Sequence, residues 1–179
     1  SYRVIELPYE HMNTPELVKI ESEKVTADRV TQVLYHTANE EKLPLLVGLL
    51  RHMDPHRSLV FTNTKGAAER VRAWLRSNGF NAEVISGDVP QNKRERLLQD
   101  FQSGELPILV ATDVAARGID IDLVTHVVNY ELPNVPEDYV HRIGRTARAG
   151  ADGDAVSFGC EQYVESLPDI ERFMGQRIP

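Results

Sequence analysis

From Val30 onward, short apolar runs rich in β-branched residues alternate with segments of helical period. Six runs are predicted to be strands, at residues 30–36, 58–62, 82–86, 108–111, 125–129 and 155–158. Five segments are predicted to be helices, at residues 40–52, 65–78, 92–103, 136–147 and 162–174. This alternation is typical of βαβ units, whose strands lie parallel in one sheet. We therefore predict a doubly wound α/β domain with helices on both faces of the sheet.

The first part of the chain does not follow this rhythm. Residues 2–12 have the pattern of a short amphipathic helix, and residues 13–28 contain proline and many charges. We interpret residues 1–28 as the tail of a preceding domain with a linker, and residues 29–179 as one domain. A chain of 179 residues, 41% of them hydrophobic, suits a single core.

Composition limits which cellular compartments and which binding partners are compatible with the sequence. A single cysteine, Cys160, excludes an internal disulfide and suits a reducing compartment such as the cytoplasm. No run reaches the ~18 apolar residues of a membrane helix, and the histidines lack metal-ligand spacing, so we expect no membrane partner and no metal site. The net charge of −7 argues against binding nucleic acid by bulk charge. Any such surface must be a small basic patch.

The strongest chemical signal is the segment HRIGRTARAG at residues 141–150. Arg142, Arg145 and Arg148 recur every three residues with no acidic residue between them. On the helix predicted there, they would share one face and repel one another, so helix stability does not explain the pattern. We expect the three guanidinium groups to face an anion. The alternative is a solvated basic helix face.

A second signal is the segment ATDVAARGID at residues 111–120, which follows a buried strand. Gly118 permits a positive φ or the close approach of a ligand. Thr112 could donate a hydrogen bond to a phosphate, and Asp120 could accept one from a ribose hydroxyl. A plain loop between strand and helix, with an Asp–Arg surface pair, fits the same residues.

Two weaker segments follow the second and third predicted strands, FTNTK at residues 61–65 and SGDVPQNKR at residues 86–94. Thr64 could simply cap the next helix, and Gln91 with Arg94 could be a polar helix start. In open α/β sheets, however, ligands bind where strands end. These segments would then contact phosphates along one sheet edge without reading a base sequence.

The chain lacks the glycine-rich loops that bind a di- or triphosphate. Neither G-x-x-x-x-G-K-[ST] nor G-x-G-x-x-G occurs in it. It is therefore not predicted to be a complete P-loop ATPase.

In chain order, the four segments resemble motifs IV, IVa, V and VI of DEAD-box ATP-dependent RNA helicases. The resemblance runs from about Val30 to the end of the chain and implies the RecA-like C-terminal domain of such a helicase. The opening SYRVIELPYEHMN and the closing CEQYVESLPDIERFMGQRIP resemble the bacterial degradosome branch of this family. Two positions depart from the family pattern, since Ala147 replaces a common glycine and Ser86 a frequent histidine.

The resemblance assigns expected roles to individual residues. The positions that contact the RNA sugar-phosphate backbone match Thr64, Lys65, Gly87, Gln91, Arg94 and Thr112. Gly118 and Asp120 match positions at the ATP ribose, and Arg145 and Arg148 match the catalytic arginines that reach the γ-phosphate. The positions that couple the two helicase halves match Arg117, His141 and Arg142.

The resemblance also implies cofactors and partners. ATP and Mg²⁺ would be bound mainly by an N-terminal RecA-like domain, so this chain alone is expected to be inactive. The expected partners are RNA, that N-terminal domain and the degradosome endoribonuclease, and the expected activity is local unwinding of RNA duplexes. Two alternatives stay open, an RNA- or ribonuclease-binding module without catalysis and half of another superfamily 2 nucleic-acid motor.

Overall fold

The computed structural model describes residues 29–53, 56–117, 119, 121, 124–148 and 151–179. Its strands form one parallel sheet in the order β1-β6-β5-β2-β4-β3. The strands are β1 (Val30–His36), β2 (Ser58–Thr62), β3 (Ala82–Ile85), β4 (Ile108–Thr112), β5 (His126–Asn129) and β6 (Gly153–Gly159). The predicted preceding tail and linker, residues 1–28, lie outside the described residues.

Among the described residues, five helices connect successive strands, as parallel pairing requires, and a sixth follows β6. They are α1 (Lys42–Met53), α2 (Lys65–Ser77), α3 (Gln91–Ser103), α4 (Asp113–Ala116), α5 (Pro136–Ile143) and α6 (Leu167–Met174). Short 3₁₀ turns, Asn39–Glu41 and Val164–Ser166, precede α1 and α6. The last predicted helix therefore begins later than expected, and α4 was not predicted.

The core lies in two layers, one on each face of the sheet. In β2, Leu59 and Phe61 face the layer that α3, α5 and α6 cover, whereas Val60 faces the layer of α1 and α2. All residues of β2 and β4 are buried, because helices cover both faces of the central strands. The predicted doubly wound α/β fold is confirmed.

The predicted helix 136–147 is wrong in its last turn. The helix α5 ends at Ile143, and Thr146 instead forms a parallel bridge with Val124. The Thr146 hydroxyl donates to the carbonyl of Val124 at 2.7 Å, a partner that a helical turn would not offer. Ala147 then adopts a left-handed conformation, with φ of 56°. The three arginines of this segment therefore do not share one helical face.

The same turn packs tightly against β6. A Cβ atom at Gly153 would lie 2.0 Å from the Thr146 Oγ1 and 2.7 Å from the Ala147 nitrogen. Only glycine fits there, since such distances are far below van der Waals contact. The path of the chain from Gly144 to Ala147 is thus fixed from both sides, by β6 and by the bridge to Val124.

Candidate functional site

The carboxyl ends of the strands form the edge at which the predicted site residues meet. The order β5-β2-β4-β3 makes the segments that follow these four strands neighbours. An open cleft of about 250 Å³ lies at this edge. Polar side chains lining it include Asp113, Arg117, Asp138, His141, Arg142 and Arg145.

Arg142 is the centre of a hydrogen-bond network at the floor of this cleft. Its side chain is 1% exposed. The guanidinium binds both carboxylate oxygens of Asp113 at 2.7 Å, the carbonyl of Glu131 at 2.7 Å and the Asn63 Oδ1 at 2.8 Å. It lies 5.1 Å from the ring centroid of Phe61. Arg142 therefore joins the segments that follow β2, β4 and β5.

A buried lysine extends this network. The Glu131 carboxylate accepts a hydrogen bond from the Asn63 backbone N–H at 2.7 Å, and its other oxygen lies 4.0 Å from the Lys42 Nζ. Lys42 is 2% exposed and lies 4.5 Å from the ring centroid of Tyr130. Burial, followed by the charge of Glu131, raises the pKa of Tyr130 to about 12. The ammonium offsets the buried carboxylate, which would otherwise be costly.

Sequence reasoning did not single out Asn63, Asp113, Glu131 or Lys42 as site residues. Asn63 and Asp113 lie within segments 61–65 and 111–120, which had already been selected from the sequence, so these two residues could have been found from their motifs. Lys42 and Glu131 are 89 positions apart, and no local pattern joins them.

The two predicted catalytic arginines lie in the turn beyond α5. Arg145 is half-buried and donates to the carbonyls of Ile119 at 2.9 Å and Ala116 at 3.2 Å. Arg148 is exposed and donates from Nε to the carbonyl of Gly144 at 2.9 Å. The contacts of Arg145 hold its guanidinium group in the cleft, where its donors suit phosphate oxygens.

The predicted coupling residues differ in their surroundings. His141 is exposed on α5, whereas Arg142 is enclosed by its own domain. Arg117 is exposed and pairs with Asp138 at 2.7 Å. The hydrogen bond that Arg117 donates to Asp138, followed by the charge of that carboxylate, raises the pKa of Arg117 above its ordinary value. Of the three predicted coupling residues, His141 and Arg117 therefore expose polar groups at the domain surface.

The predicted RNA-contacting residues lie at or shortly after the carboxyl ends of three adjacent strands, β2, β4 and β3. Thr64 follows β2 and caps α2, since its Oγ1 accepts from the Ala67 N–H at 3.1 Å. Lys65 binds Asp88 at 2.7 Å and so joins the segments after β2 and β3. Thr112, 7% exposed, ends β4. The mundane capping role of Thr64 is thus present, and its role toward RNA stays a prediction.

The remaining predicted RNA residues surround the start of α3. Gly87 is exposed in the turn before this helix, and Gln91 binds Glu95 one turn later at 3.0 Å. Arg94 is half-buried and donates from Nη2 to the carbonyl of Ala115 at 2.6 Å. Arg94 therefore links α3 to α4, which the sequence did not indicate.

Gly118 and Asp120, the predicted ribose contacts, lie outside the described residues. Within the described ranges, no helix is long and apolar enough to cross a membrane. In the same ranges, no three His, Cys, Asp or Glu side chains gather in a way that could hold a metal ion.

Sequence comparison relates the chain to helicases. Residues 41–150 match the family model described as the helicase conserved C-terminal domain. The chain is 58% identical over its full length to the ATP-dependent RNA helicase RhlB of Xanthomonas axonopodis pv. citri. It spans 31% of the length of that relative.

Solved structures give the same relationship. The Escherichia coli DEAD-box protein SrmB, solved with the regulator of ribonuclease activity A, is 39% identical, with a TM-score of 0.79 over 83% of this chain and 88% of SrmB. Saccharomyces cerevisiae Dbp5, solved with RNA and ADP BeF3, is 32% identical, with a TM-score of 0.80. That match covers 99% of this chain and 48% of Dbp5.

Proposed function

Because the chain belongs to the helicase conserved C-terminal domain family, in its DEAD-box branch, we propose that it is the half of an ATP-dependent RNA helicase that supplies catalytic arginines and part of the RNA surface. The complete helicase would unwind short RNA duplexes locally. It would close two RecA-like domains over one bent strand. Since the chain spans about a third of the RhlB relative, this activity requires residues beyond it.

The observation that supports this function best is the cluster of arginines at the cleft. Arg145 lines the cleft together with the buried Arg142, which holds three surrounding segments, and Arg148 lies three residues beyond Arg145. Guanidinium groups placed in this way stabilise the charge that spreads over phosphoryl oxygens during transfer. Such an arginine is worth roughly a thousandfold or more in rate in related enzymes.

ATP with Mg²⁺ would supply the phosphoryl group, and the upstream domain would hold most of it. The residues here would act on it from one side. Arg145 and Arg148 would approach the γ-phosphate, and Gly118 and Asp120 would lie at the ribose. The fit is partial, since the cleft offers cationic donors but the sequence contains no phosphate-binding loop.

RNA would bind along the segments after β2, β4 and β3. The donors there are hydroxyls, an amide and cations, which contact phosphate and sugar rather than base edges. The proposed contacts are Thr64, Lys65, Gly87, Gln91, Arg94 and Thr112. Because the net charge of the chain is −7, RNA binding by this domain alone should be weak and should weaken further with added salt.

A finer proposal concerns the cellular partner. From the similarity to RhlB along the whole chain, we propose that the protein acts in the cytoplasm with the degradosome endoribonuclease. Calorimetry with fragments of that ribonuclease from the same organism tests this, without RNA or ATP. If no fragment binds measurably, the proposed ribonuclease partner is wrong and only the general DEAD-box function is left.

The test of catalysis uses the helicase in which this chain is joined to its upstream domain. Arg148→Ala should lower kcat for RNA-stimulated ATP hydrolysis by about a hundredfold or more. Its stability should change by less than about 1 kcal/mol, since Arg148 is exposed and its hydrogen bond to the Gly144 carbonyl is exposed as well.

A matched control distinguishes the effect of the position of Arg148 from the effect of removing one positive charge. Arg51 is exposed in the last turn of α1, just before β2 begins, and therefore lies at the opposite edge of the sheet. Arg51→Ala should leave kcat unchanged. If Arg148→Ala unfolds the domain but leaves the turnover of folded protein intact, Arg148 is structural. If the unchanged protein binds RNA but does not hydrolyse ATP, the alternative of a binding module is correct.

A further inference from the structure

Arginines from both proposed ligand sites hold the short helix α4. Arg94 donates from Nη2 to the carbonyl of Ala115 at 2.6 Å. Arg145 donates to the next carbonyl, that of Ala116, at 3.2 Å, and to that of Ile119 at 2.9 Å. One guanidinium assigned to RNA and one assigned to the γ-phosphate thus bind neighbouring carbonyl oxygens.

The position of α4 depends on these side chains. With four residues, α4 is too short to be stable by itself, and its last carbonyls have no partner within the helix. Arg94 and Arg145 satisfy two of these carbonyls, and Arg142 binds the carboxylate of Asp113 at its first residue. The orientation of α4 is therefore set by α3 on one side and by the segment beyond α5 on the other.

A guanidinium group can hold two partners at once. It carries five N–H donors in a planar fork, so one edge can bind a carbonyl while the other binds a phosphate oxygen. In the part of the chain that the structure describes, Arg94 uses Nη2 for the Ala115 carbonyl. Among the described residues its Nε and Nη1 make no hydrogen bond, so each of them can donate to an RNA phosphate.

We propose that Arg94 is a positioning residue for the nucleotide site in addition to a contact for RNA. A phosphate bound by Arg94 fixes its guanidinium, which in turn fixes the carbonyl end of α4. Arg145 lies on that same end, so its guanidinium is ordered when RNA is bound. This inference rests on the proposed function and adds a route by which RNA stimulates hydrolysis.

Kinetics of the complete helicase distinguish positioning from simple RNA binding. Arg94→Ala should lower kcat at saturating RNA by about tenfold, the effect of losing one charged hydrogen bond that orients Arg145. A residue that only contacts RNA would raise the RNA concentration for half-maximal rate and leave kcat unchanged. Arg94→Lys should recover most of the RNA affinity but little of kcat, because an ammonium lacks the two-edged fork.

The control removes the same charge from the same helix. Arg96 is exposed on α3 and lines a separate groove with Asp100 and Glu105. Arg96→Ala should leave kcat at saturating RNA unchanged. An unchanged kcat in Arg94→Ala as well would overturn the proposal.

A second measurement does not depend on catalysis. In ¹H–¹⁵N spectra of the 179-residue chain, Arg94→Ala should move the Ile119 amide and the Arg145 Nε–H signals, and Arg96→Ala should not. A short oligouridylate should shift the Ile119 amide of the unchanged chain but not that of Arg94→Ala. If the signals of Ile119 and Arg145 have the same chemical shifts in Arg94→Ala as in the unchanged chain, the positioning role is refuted. If the complete helicase shows no hydrolysis, the proposed function fails, and these spectra alone decide the role of Arg94.

Discussion

Replacing Ala147 with glycine should stabilise the domain, although glycine usually destabilises. Ala147 has φ of 56°, in the left-handed region that only glycine adopts readily. The residue lies in the turn between Arg145 and Arg148, after α5 has ended. Relief of its backbone strain is therefore the main effect of Ala147→Gly.

The magnitude follows from three contributions. A non-glycine residue in the left-handed region costs about 1–2 kcal/mol, which glycine removes. Glycine also lowers the stability by roughly 0.5–1 kcal/mol, because it gives the unfolded chain more conformational freedom. Ala147 also packs against the core cluster, and loss of its partly buried methyl costs a few tenths of a kcal/mol, roughly. The net expectation is a stabilisation of about 0.5 kcal/mol.

A second alanine provides the control, because its replacement by glycine should lower the free energy of unfolding instead of raising it. Ala73 is exposed within α2, where its backbone is helical. Ala73→Gly should destabilise the domain by about 1 kcal/mol. The two substitutions are chemically identical, so urea unfolding of both variants should give free energies of unfolding that differ by about 1.5 kcal/mol. For a domain of this size, each kcal/mol corresponds to about 2–4 °C in Tm.

The comparison of the two variants can refute the assignment. If Ala147→Gly loses as much stability as Ala73→Gly, residue 147 is not held in the left-handed conformation. The helix predicted for residues 136–147 would then be correct in its last turn, and the placement of Arg148 would have to be revised. In the complete helicase, Ala147→Gly should retain ATP hydrolysis, because glycine is the commoner residue of the family at this position.

Two further predictions concern the buried polar groups. Arg142→Lys should lower the free energy of unfolding in urea by roughly 3 kcal/mol, because lysine cannot replace the paired bonds to Asp113 and leaves that carboxylate poorly compensated. Burial raises the pKa of Tyr139 to about 12, above its ordinary value of 10, so its contribution to stability is complete below pH 10 and is lost as the pH rises toward 12. Tyr139→Phe should therefore flatten the alkaline decline of stability by about 1.4 kcal/mol per pH unit, measured by denaturation at pH 10–12, whereas an unchanged slope would mean that Tyr139 titrates normally.

The fold could be predicted because each part of its pattern is local. Apolar positions in β2 and β4 are consecutive, and helical periods separate them, which is sufficient to predict a covered parallel sheet. The edge that carries the site follows from topology, since parallel strands end at one side. Predicted residues after β2, β3 and β4 therefore converge there without any knowledge of side-chain contacts.

The network below the cleft could not be predicted in the same way. Lys42 and Glu131 come from distant segments, and their pairing depends on the three-dimensional arrangement of α1 and β5. A buried ammonium is rare, so composition would assign Lys42 to the surface. The break after Ile143 was missed for a related reason, because the bridge between Thr146 and Val124 is tertiary.

That break gives three arginines with the same spacing different surroundings. Had the helix continued, all three would have pointed to one face, and any of them could have met a phosphate. Arg142, in the last turn of α5, is buried and donates two charged hydrogen bonds to Asp113, so moving it would leave a partly buried carboxylate poorly compensated. Arg148 instead bonds to an exposed carbonyl, which water can solvate if the arginine leaves. Arg142 therefore holds the segments around the cleft together, and we predict that the exposed Arg148 is the arginine that turns toward a γ-phosphate.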